Sequence, residues 1–301
     1  MVKIEKFAAI DIGSNAVRIL IANVIHQNGY ATYQKNALVR VPIRLGEDAF
    51  VLNKISPYNI RRLVKAMKAF DLLMQVHEVK KFAAYATSAL RSVSNRNDTI
   101  EQVLNETGIQ IQIISGKKEA EVISRTSFSN FINPEKIYLY VDVGGGSTEI
   151  SVYKNGMISD SKSFKVGTVR LINHLVEKDL WDKMKTWIIT HTRKYKKLDI
   201  LGTGGNINKL HKLANLPESK PISYLKLYSF YQELNALSYA QRIIQYRLNP
   251  DRSDVIIPAM QIYMNVLKWS KAKAIYVPKT GLSDGMIKEL ILSESTNSFQ
   301  L

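Results

Sequence analysis

The 301-residue chain contains no cysteine. Disulfides, thiolate metal sites and a cysteine nucleophile are therefore excluded. No apolar run approaches the ~20 residues of a membrane-spanning helix. The opening stretch MVKIEKFAAIDIG breaks its apolar residues with Lys3, Glu5 and Lys6, so it carries no signal-type hydrophobic region and a cytoplasmic location is expected. There is no G-x-x-x-x-G-K-[ST] phosphate loop, no G-x-S-x-G elbow and no H-E-x-x-H pair. The five histidines, His26, His77, His174, His191 and His211, include no two at metal-ligand spacing. Zinc-finger spacing, a basic zipper and an RNA-recognition signature are missing too, so no specific nucleic-acid partner is expected. Acid is scarce: 26 Asp and Glu stand against 42 Lys and Arg, a formal charge of +16. That surplus favours polyanionic partners, although a lysine-rich solvated surface produces the same number. The densest basic run, TRKYKKLD (192–199), reads as a helix end feeding a strand and as a solvated face.

What is present is an ordinary globular composition, 46% hydrophobic, and a length that suggests two domains. Two segments resemble each other: FAAIDIGSNAVRILIANVIHQNGYATYQKNALVRV near the start and YLYVDVGGGSTEISVYKNGMISDSKSFKVG near the middle. In each, an apolar strand ends in an acid, Asp11 or Asp142. A Gly-containing polar turn and a second strand follow, then an Asn-Gly turn (Asn28-Gly29, Asn155-Gly156) and a third strand. Asn-Gly between alternating segments is a hairpin signal, because both residues must take positive φ. One β-turn-β-turn-β unit thus occurs twice, and self-similarity on that scale bears on architecture. Elsewhere strand and helix alternate. Helical spacing covers 59–79, 117–131, 167–195 (in two pieces), 206–216, 253–270 and 283–295. Strands are predicted at 109–115 and 273–279, within 81–91, where a strand runs into a polar turn and a helix start, and within 198–205, where a strand runs into a glycine turn. This is the pattern of α/β sheets with helix-covered faces. Two such halves meeting at a cleft, with ligands outside the strand ends, is the expected assembly.

Four glycine or hydroxyl turns fall at strand ends. DIGSNAVR contributes Gly13, Ser14, Asn15 and Arg18. ATSALR contributes Thr87, Ser88 and Arg91. DVGGGSTE contributes Gly144, Gly145, Gly146, Ser147 and Thr148, and LGTGGN contributes Gly204 and Gly205. Glycine lets a backbone approach an anion, and successive N–H groups form a nest for phosphate oxygens. ATSALR and LGTGGN also open helices, which adds the positive end of a dipole, and the two arginines offer charge-assisted bonds to phosphate. Asp11, Asp142 and Glu149 stand beside these nests. Asp11 and Asp142 can each close a turn by an Asx-type bond. Alternatively the three acids hold a divalent cation, since Mg²⁺ takes one or two carboxylates with phosphate oxygens and water. Glu119, in the first turn of a helix, either complements the helix dipole or acts as a general base that aligns a water against a terminal phosphoryl group. Glu121 is expected to pair with Arg125 at i,i+4.

With these residues in view, the sequence resembles the exopolyphosphatase/guanosine pentaphosphate phosphohydrolase (Ppx/GppA) family along essentially its whole length. The resemblance rests on AAIDIGSNAVRILI, YATSALRSVSNR, IISGKKEAEVI, VDVGGGSTEISVY, KVGTVRL, LGTGGNINKL, DVIIPAM and GLSDGMIKE, in that order. It implies an α/β fold of two actin-like (ribonuclease H-like) domains with a duplicated β-turn-β core, as in the sugar kinases and heat-shock ATPases. The domains are expected at 1–126 and 127–283, with a closing helix, 284–301, against the first. It also implies hydrolysis of terminal phosphate from polyphosphate or guanosine pentaphosphate with Mg²⁺ or Mn²⁺. Glu119 then matches the catalytic glutamate, Asp142 and Glu149 match the metal and phosphate acids, and the four turns match phosphate-contacting loops. Three departures stand out. Lys118 replaces the usual acid before the catalytic glutamate, Ala16 replaces a commoner serine, and no residues follow 301 to match the C-terminal helical domains of longer members. Weaker processivity on long chains is expected from the last. A phosphotransferase of the same superfamily and a non-catalytic sensor of guanosine tetra- or pentaphosphate are the competing classes. A homodimer is compatible with any of them.

Overall fold

The computed structural model describes residues 2–126, 133, 135–155 and 157–297. The chain divides into two compact units, Met1–Thr126 with Thr280–Leu301, and Ser127–Lys279. The first unit runs β1 (Lys3–Ile12), β2 (Val17–Gln27), β3 (Tyr30–Val41), α1 (Leu45–Leu52), α2 (Pro57–Val76), β4 (Lys81–Ala86), α3 (Ser88–Arg91), α4 (Arg96–Thr107), β5 (Gln112–Ile113) and α5 (Gly116–Ser124). The second runs β6 (Tyr138–Val143), β7 (Thr148–Lys154), β8 (Met157–Phe164), α6 (Thr168–Ile172), α7 (Lys178–Thr192), β9 (Asp199–Thr203) and α8 (Gly205–Leu213). It continues with β10 (Ile222–Ser223), α9 (Tyr224–Asn235), α10 (Tyr239–Tyr246), α11 (Pro250–Ser253), α12 (Ile256–Ser270) and β11 (Ala274–Tyr276). A last helix, α13 (Leu282–Asn297), belongs to the first unit.

The two sheets share one plan. The first has the order β3-β2-β1-β4-β5, the second β10-β11-β9-β6-β7-β8. In each, three antiparallel strands (β1 to β3, β6 to β8) are extended by strands parallel to the first of them (β4 and β5, β9 and β11). The repeat read from the sequence is thus a repeated sheet topology, that of the actin-like architecture. Asn28 and Gly29 both take positive φ, 51° and 80°, as a tight hairpin with right-handed strand twist requires. Asn155 also does, at 53°; Gly156 lies outside the described residues.

The central strands are buried on both faces. Phe7, Ala8, Ala9, Ile10 and Ile12 of β1 are fully inaccessible, which explains a near-continuous apolar run where a half-exposed strand would alternate. In α2 the residues Ile60, Leu63, Val64, Met67, Phe70 and Met74 are buried, the i, i+3, i+4 stripe of an amphipathic helix. That helix starts where Ser56 accepts from the Asn59 amide, with Pro57 in its first turn, a start at which proline's missing N–H costs nothing. The second core gathers Val141, Ile150, Ile200, Ile207, Met260 and Tyr263 among others.

Two expectations change. The strand predicted at 109–115 reduces to Gln112–Ile113. Its alternation is real, with Ile109 and Ile111 buried, but at the sheet edge only two residues reach the ladder with Tyr85 and Ala86. The helix predicted at 117–131 ends at Ser124, and 127–131 lie outside the described residues, as do 298–301. No described helix is long and apolar enough to cross a membrane.

Candidate functional site

In the first unit, β1 and β2 pair in a register that sets Asp11 opposite Arg18. Their side chains meet at 3.3 Å. Burial pushes the Asp11 carboxyl up from its ordinary range, and the Arg18 guanidinium pulls it partly back. The turn between these strands is closed by the Gly13 amide on the Ala16 carbonyl, 3.1 Å. It is anchored from α1, whose Gly46 amide donates to the Ser14 carbonyl at 2.7 Å. β4 runs parallel to β1, so its end arrives beside this turn: the Thr87 amide donates to the Ile12 carbonyl, 3.1 Å, and the Ser14 and Ser88 hydroxyls are 2.9 Å apart. DIGSN and ATSALR, separated by 74 residues, are therefore in contact. α3 spans only four residues, too short to aim an appreciable dipole at anything.

One turn after Ser88, Arg91 Nη1 donates to the Ile114 carbonyl at 2.6 Å and stands 3.8 Å from Glu119 Oε2. Glu119 is buried. Its place follows from the cap of α5, where Ser115 accepts from the Lys118 amide and starts the helix so that Glu119 falls in the first turn. Lys118 is occupied elsewhere. Its ammonium lies 2.6 Å from Glu289 Oε1 on α13, and the other oxygen of Glu289 accepts from the Tyr85 hydroxyl at 2.9 Å. Burial and that carboxylate push the Tyr85 phenol up to about 12. The basic residue beside Glu119 is therefore neutralised by a partner 171 residues away. α13 packs against α5 so closely that a Cβ on Gly285 would lie 2.1 Å from the Val122 carbonyl.

In the second unit, Asp142 and Glu149 face each other across β6 and β7, which puts both carboxylates on one side of the sheet. Glu149 is almost fully buried. Its Oε1 accepts from the Ser147 and Ser163 hydroxyls, each at 2.7 Å. Burial first, and then the charge of Asp142, raise the Tyr140 and Tyr263 phenols well above their ordinary range. The glycine turn is held from below by the start of α6. The Thr168 and Val169 amides donate to the Gly144 and Gly145 carbonyls at 3.0 and 2.8 Å, and Arg170 Nε donates to the Gly146 carbonyl at 3.0 Å. Gly167 makes this approach possible: a Cβ there would meet Gly145 O at 2.4 Å. Gly204 takes φ +110°, with its Cβ position 3.2 Å from Asp142 Oδ1, so LGTGG and DVGGG are also in contact. Arg252 donates through Nη1 to the Gly205 carbonyl.

Gly46, Ser163, Gly167, Arg170 and Arg252 were not singled out from the sequence. Gly167 and Arg170 lie in KVGTVRL and offered a signal there; the other three touch the turns through contacts the sequence does not display.

The donor set around Asp142 and Glu149 is all oxygen, two carboxylates with serine hydroxyls behind one of them. That chemistry fits a hard cation such as Mg²⁺. A different group, Glu5, His26 and Glu294, brings three ligand atoms within 4.8 Å of one another. It lies at the opposite end of the β1–β2 hairpin, and the Lys3 and Lys81 ammoniums already stand 2.9 Å from Glu5 and 2.7 Å from Glu294.

Residues 37–294 match the Ppx/GppA phosphatase family, and the chain belongs to it. It is 29% identical to a bifunctional 3-dehydroquinate synthase/phosphatase of Fusobacterium nucleatum, over 94% of this chain and 46% of that one. It is 30% identical to exopolyphosphatase 2 of Mycobacterium tuberculosis, over 58% of this chain and 56% of that one. The chain thus spans about half the length of these curated relatives. Among solved structures, an exopolyphosphatase from Cytophaga hutchinsonii superimposes with a TM-score of 0.83 at 22% identity, over 96% of this chain and 98% of that one. At that identity the likeness is one of fold.

Proposed function

We propose that the chain is a metal-dependent phosphohydrolase that releases orthophosphate from the end of linear polyphosphate, from guanosine pentaphosphate, or from both. The observation that carries the reading is Glu119: a buried carboxylate in a helix's first turn, 3.8 Å from Arg91, whose lysine neighbour is held away by Glu289. Family membership and relatives named as exopolyphosphatases support the same chemistry.

In this reading Glu119 accepts a proton from a water as its oxygen bonds to the terminal phosphorus and the bridging P–O bond breaks. The transition state of such a transfer is loose, so catalysis is mostly positioning and charge stabilisation. Arg91 offsets charge beside the base. The turns that carry Gly13, Ser14, Asn15, Arg18, Thr87 and Ser88, and those that carry Gly144, Gly145, Gly146, Ser147, Thr148, Gly204 and Gly205, are the proposed phosphate-contacting loops. Asp142 and Glu149 would hold Mg²⁺ or Mn²⁺, which when bound neutralises phosphoryl charge.

The test is phosphate release by the purified protein with Mg²⁺ on short polyphosphate, long polyphosphate, guanosine pentaphosphate and ATP, repeated with Glu119→Gln. A general base contributes roughly 10²–10⁴-fold, so the variant should lose that much turnover while still folding and binding ligand. Near wild-type turnover in Glu119→Gln sinks the base assignment. Tight binding of guanosine pentaphosphate with no release from any substrate favours a sensor instead. Transfer from ATP to an acceptor favours a phosphotransferase.

A further inference from the structure

The second unit carries a groove of about 920 Å³ lined by eight basic side chains and one acid. It sits at the N-terminal ends of β6, β9 and β11, whereas the glycine turns sit at the C-terminal ends of β6 and β9. Lys136 and Asp142 are six residues apart along this strand direction, roughly 20 Å at the rise of a β-strand. The groove is therefore separate from the turns described above.

Lys185 and Arg193 enter it from α7 and the residue after it, and Lys196 and Lys197 from the connection to β9. Lys268 and Lys271 come from the end of α12, Lys273 from the start of β11, and Lys136 from the approach to β6. All eight are exposed. The acid, Asp199, is engaged by Lys136 at 3.4 Å. Among the described residues no carboxylate lies within ion-pair distance of the other seven. Two helices end here, and each helix C-terminus carries about half a negative charge, which offsets about one cation of the seven. Like charges held this close repel, and a bound polyanion removes the repulsion.

We propose that this groove binds a linear polyphosphate chain at a distance from the glycine turns. The identity of the ligand rests on the proposed function; the site itself rests on the charge. Two features favour a bare phosphate chain over a nucleic acid. Seven of the eight cations are lysines, which act as point charges, and only Arg193 offers a bidentate fork. The aromatic rings of the groove are committed: Trp269 packs edge-on against Trp181 at 5.9 Å, and Lys194 covers Tyr195 at 5.2 Å. Each ring thus already has a partner, which leaves fewer faces on which bases could stack. The stretch 192–199, read from the sequence as a solvated face, becomes one wall of this site.

The experiment measures binding of long-chain polyphosphate in metal-free buffer across a salt series, for the wild type and for the triple variant Lys196→Gln, Lys197→Gln, Lys271→Gln. A single-stranded oligonucleotide of matched charge is the competitor. Losing three phosphate contacts should weaken binding by at least about tenfold and lower the salt slope by roughly two. A thermal midpoint equal to that of the wild type establishes that the variant folds. The inference is overturned if the variant binds polyphosphate within twofold of the wild type, or if the oligonucleotide binds more tightly than polyphosphate. No turnover is involved. A protein that releases no phosphate yet shows groove-dependent binding keeps the site and loses the proposed function; the converse result keeps the function and loses the site.

Discussion

Gly167→Ala tests whether the placement of the glycine turn matters to turnover. The added methyl would sit 2.4 Å from the Gly145 carbonyl oxygen and 2.5 Å from the Gly146 carbonyl carbon. Both are about 1 Å inside the ~3.5 Å optimum for heavy-atom contact. The obstacle is backbone on both sides, so no side chain can rotate away. The turn must lift, or the start of α6 must retreat and stretch the bonds from the Thr168 and Val169 amides. Overpacking of this kind costs about 1–3 kcal/mol, a loss of a few degrees in thermal midpoint for a unit of this size. The effect on chemistry should be larger. A displacement of about 1 Å in a positioned group can cost on the order of 10²-fold in rate. Phosphate release from short polyphosphate and thermal unfolding, measured on the same preparation, read both effects. Gly281→Ala is the control, since its Cβ meets nothing within 4 Å. If Gly167→Ala matches the wild type in turnover and in midpoint, the reasoning from the close approach is refuted.

Ser163→Ala removes one of two hydroxyls that donate to Glu149. If Glu149 holds the metal, apparent Mg²⁺ affinity should fall by about tenfold or more, read as a shift of the Mg²⁺ titration of activity; an unchanged titration would separate Glu149 from the metal. Lys118→Met removes the ammonium from Glu289, a part-buried pair, and should cost about 1 kcal/mol, checked by urea unfolding. The Tyr85 phenol has a folded-state pKa of about 12, raised above its ordinary 10.0. Its stabilising contribution is therefore complete below pH 10 and disappears as the pH rises through the folded value. Wild-type stability should fall over that window, and Tyr85→Phe should show a shallower fall in urea midpoint against pH; an identical slope would contradict the assignment.

The candidate site was legible in proportion to how local its causes are. DIGSN and DVGGG stood out because a strand, a turn and a return strand are adjacent in sequence, and their hydrophobic alternation and turn chemistry are written residue by residue. Glu119 could be placed in a first helical turn because the helical spacing starts at 117, two residues before it. The edge strand at 109–115 was overdrawn, since alternation marks which side chains are buried and does not count ladder bonds. The Glu5–His26–Glu294 group gave no spacing signal, because its members lie on three separate elements.

By itself the sequence determined the alternation of strands and helices, the duplicated β-turn-β unit, the glycine turns with their flanking acids, and the excess of positive charge. All are properties of composition and of short-range periodicity. Only the tertiary structure decided that Ser14 touches Ser88 across 74 residues, that Gly167 supports the glycine turn, and that Glu289 neutralises the lysine beside Glu119. It alone drew Lys136, the residues around 185–197 and those around 268–273 into one basic groove. The reason is geometric. Parallel strands bring their ends together whatever their separation in sequence, and the side chains gathered at those ends depend on sheet order and register, which no local window contains.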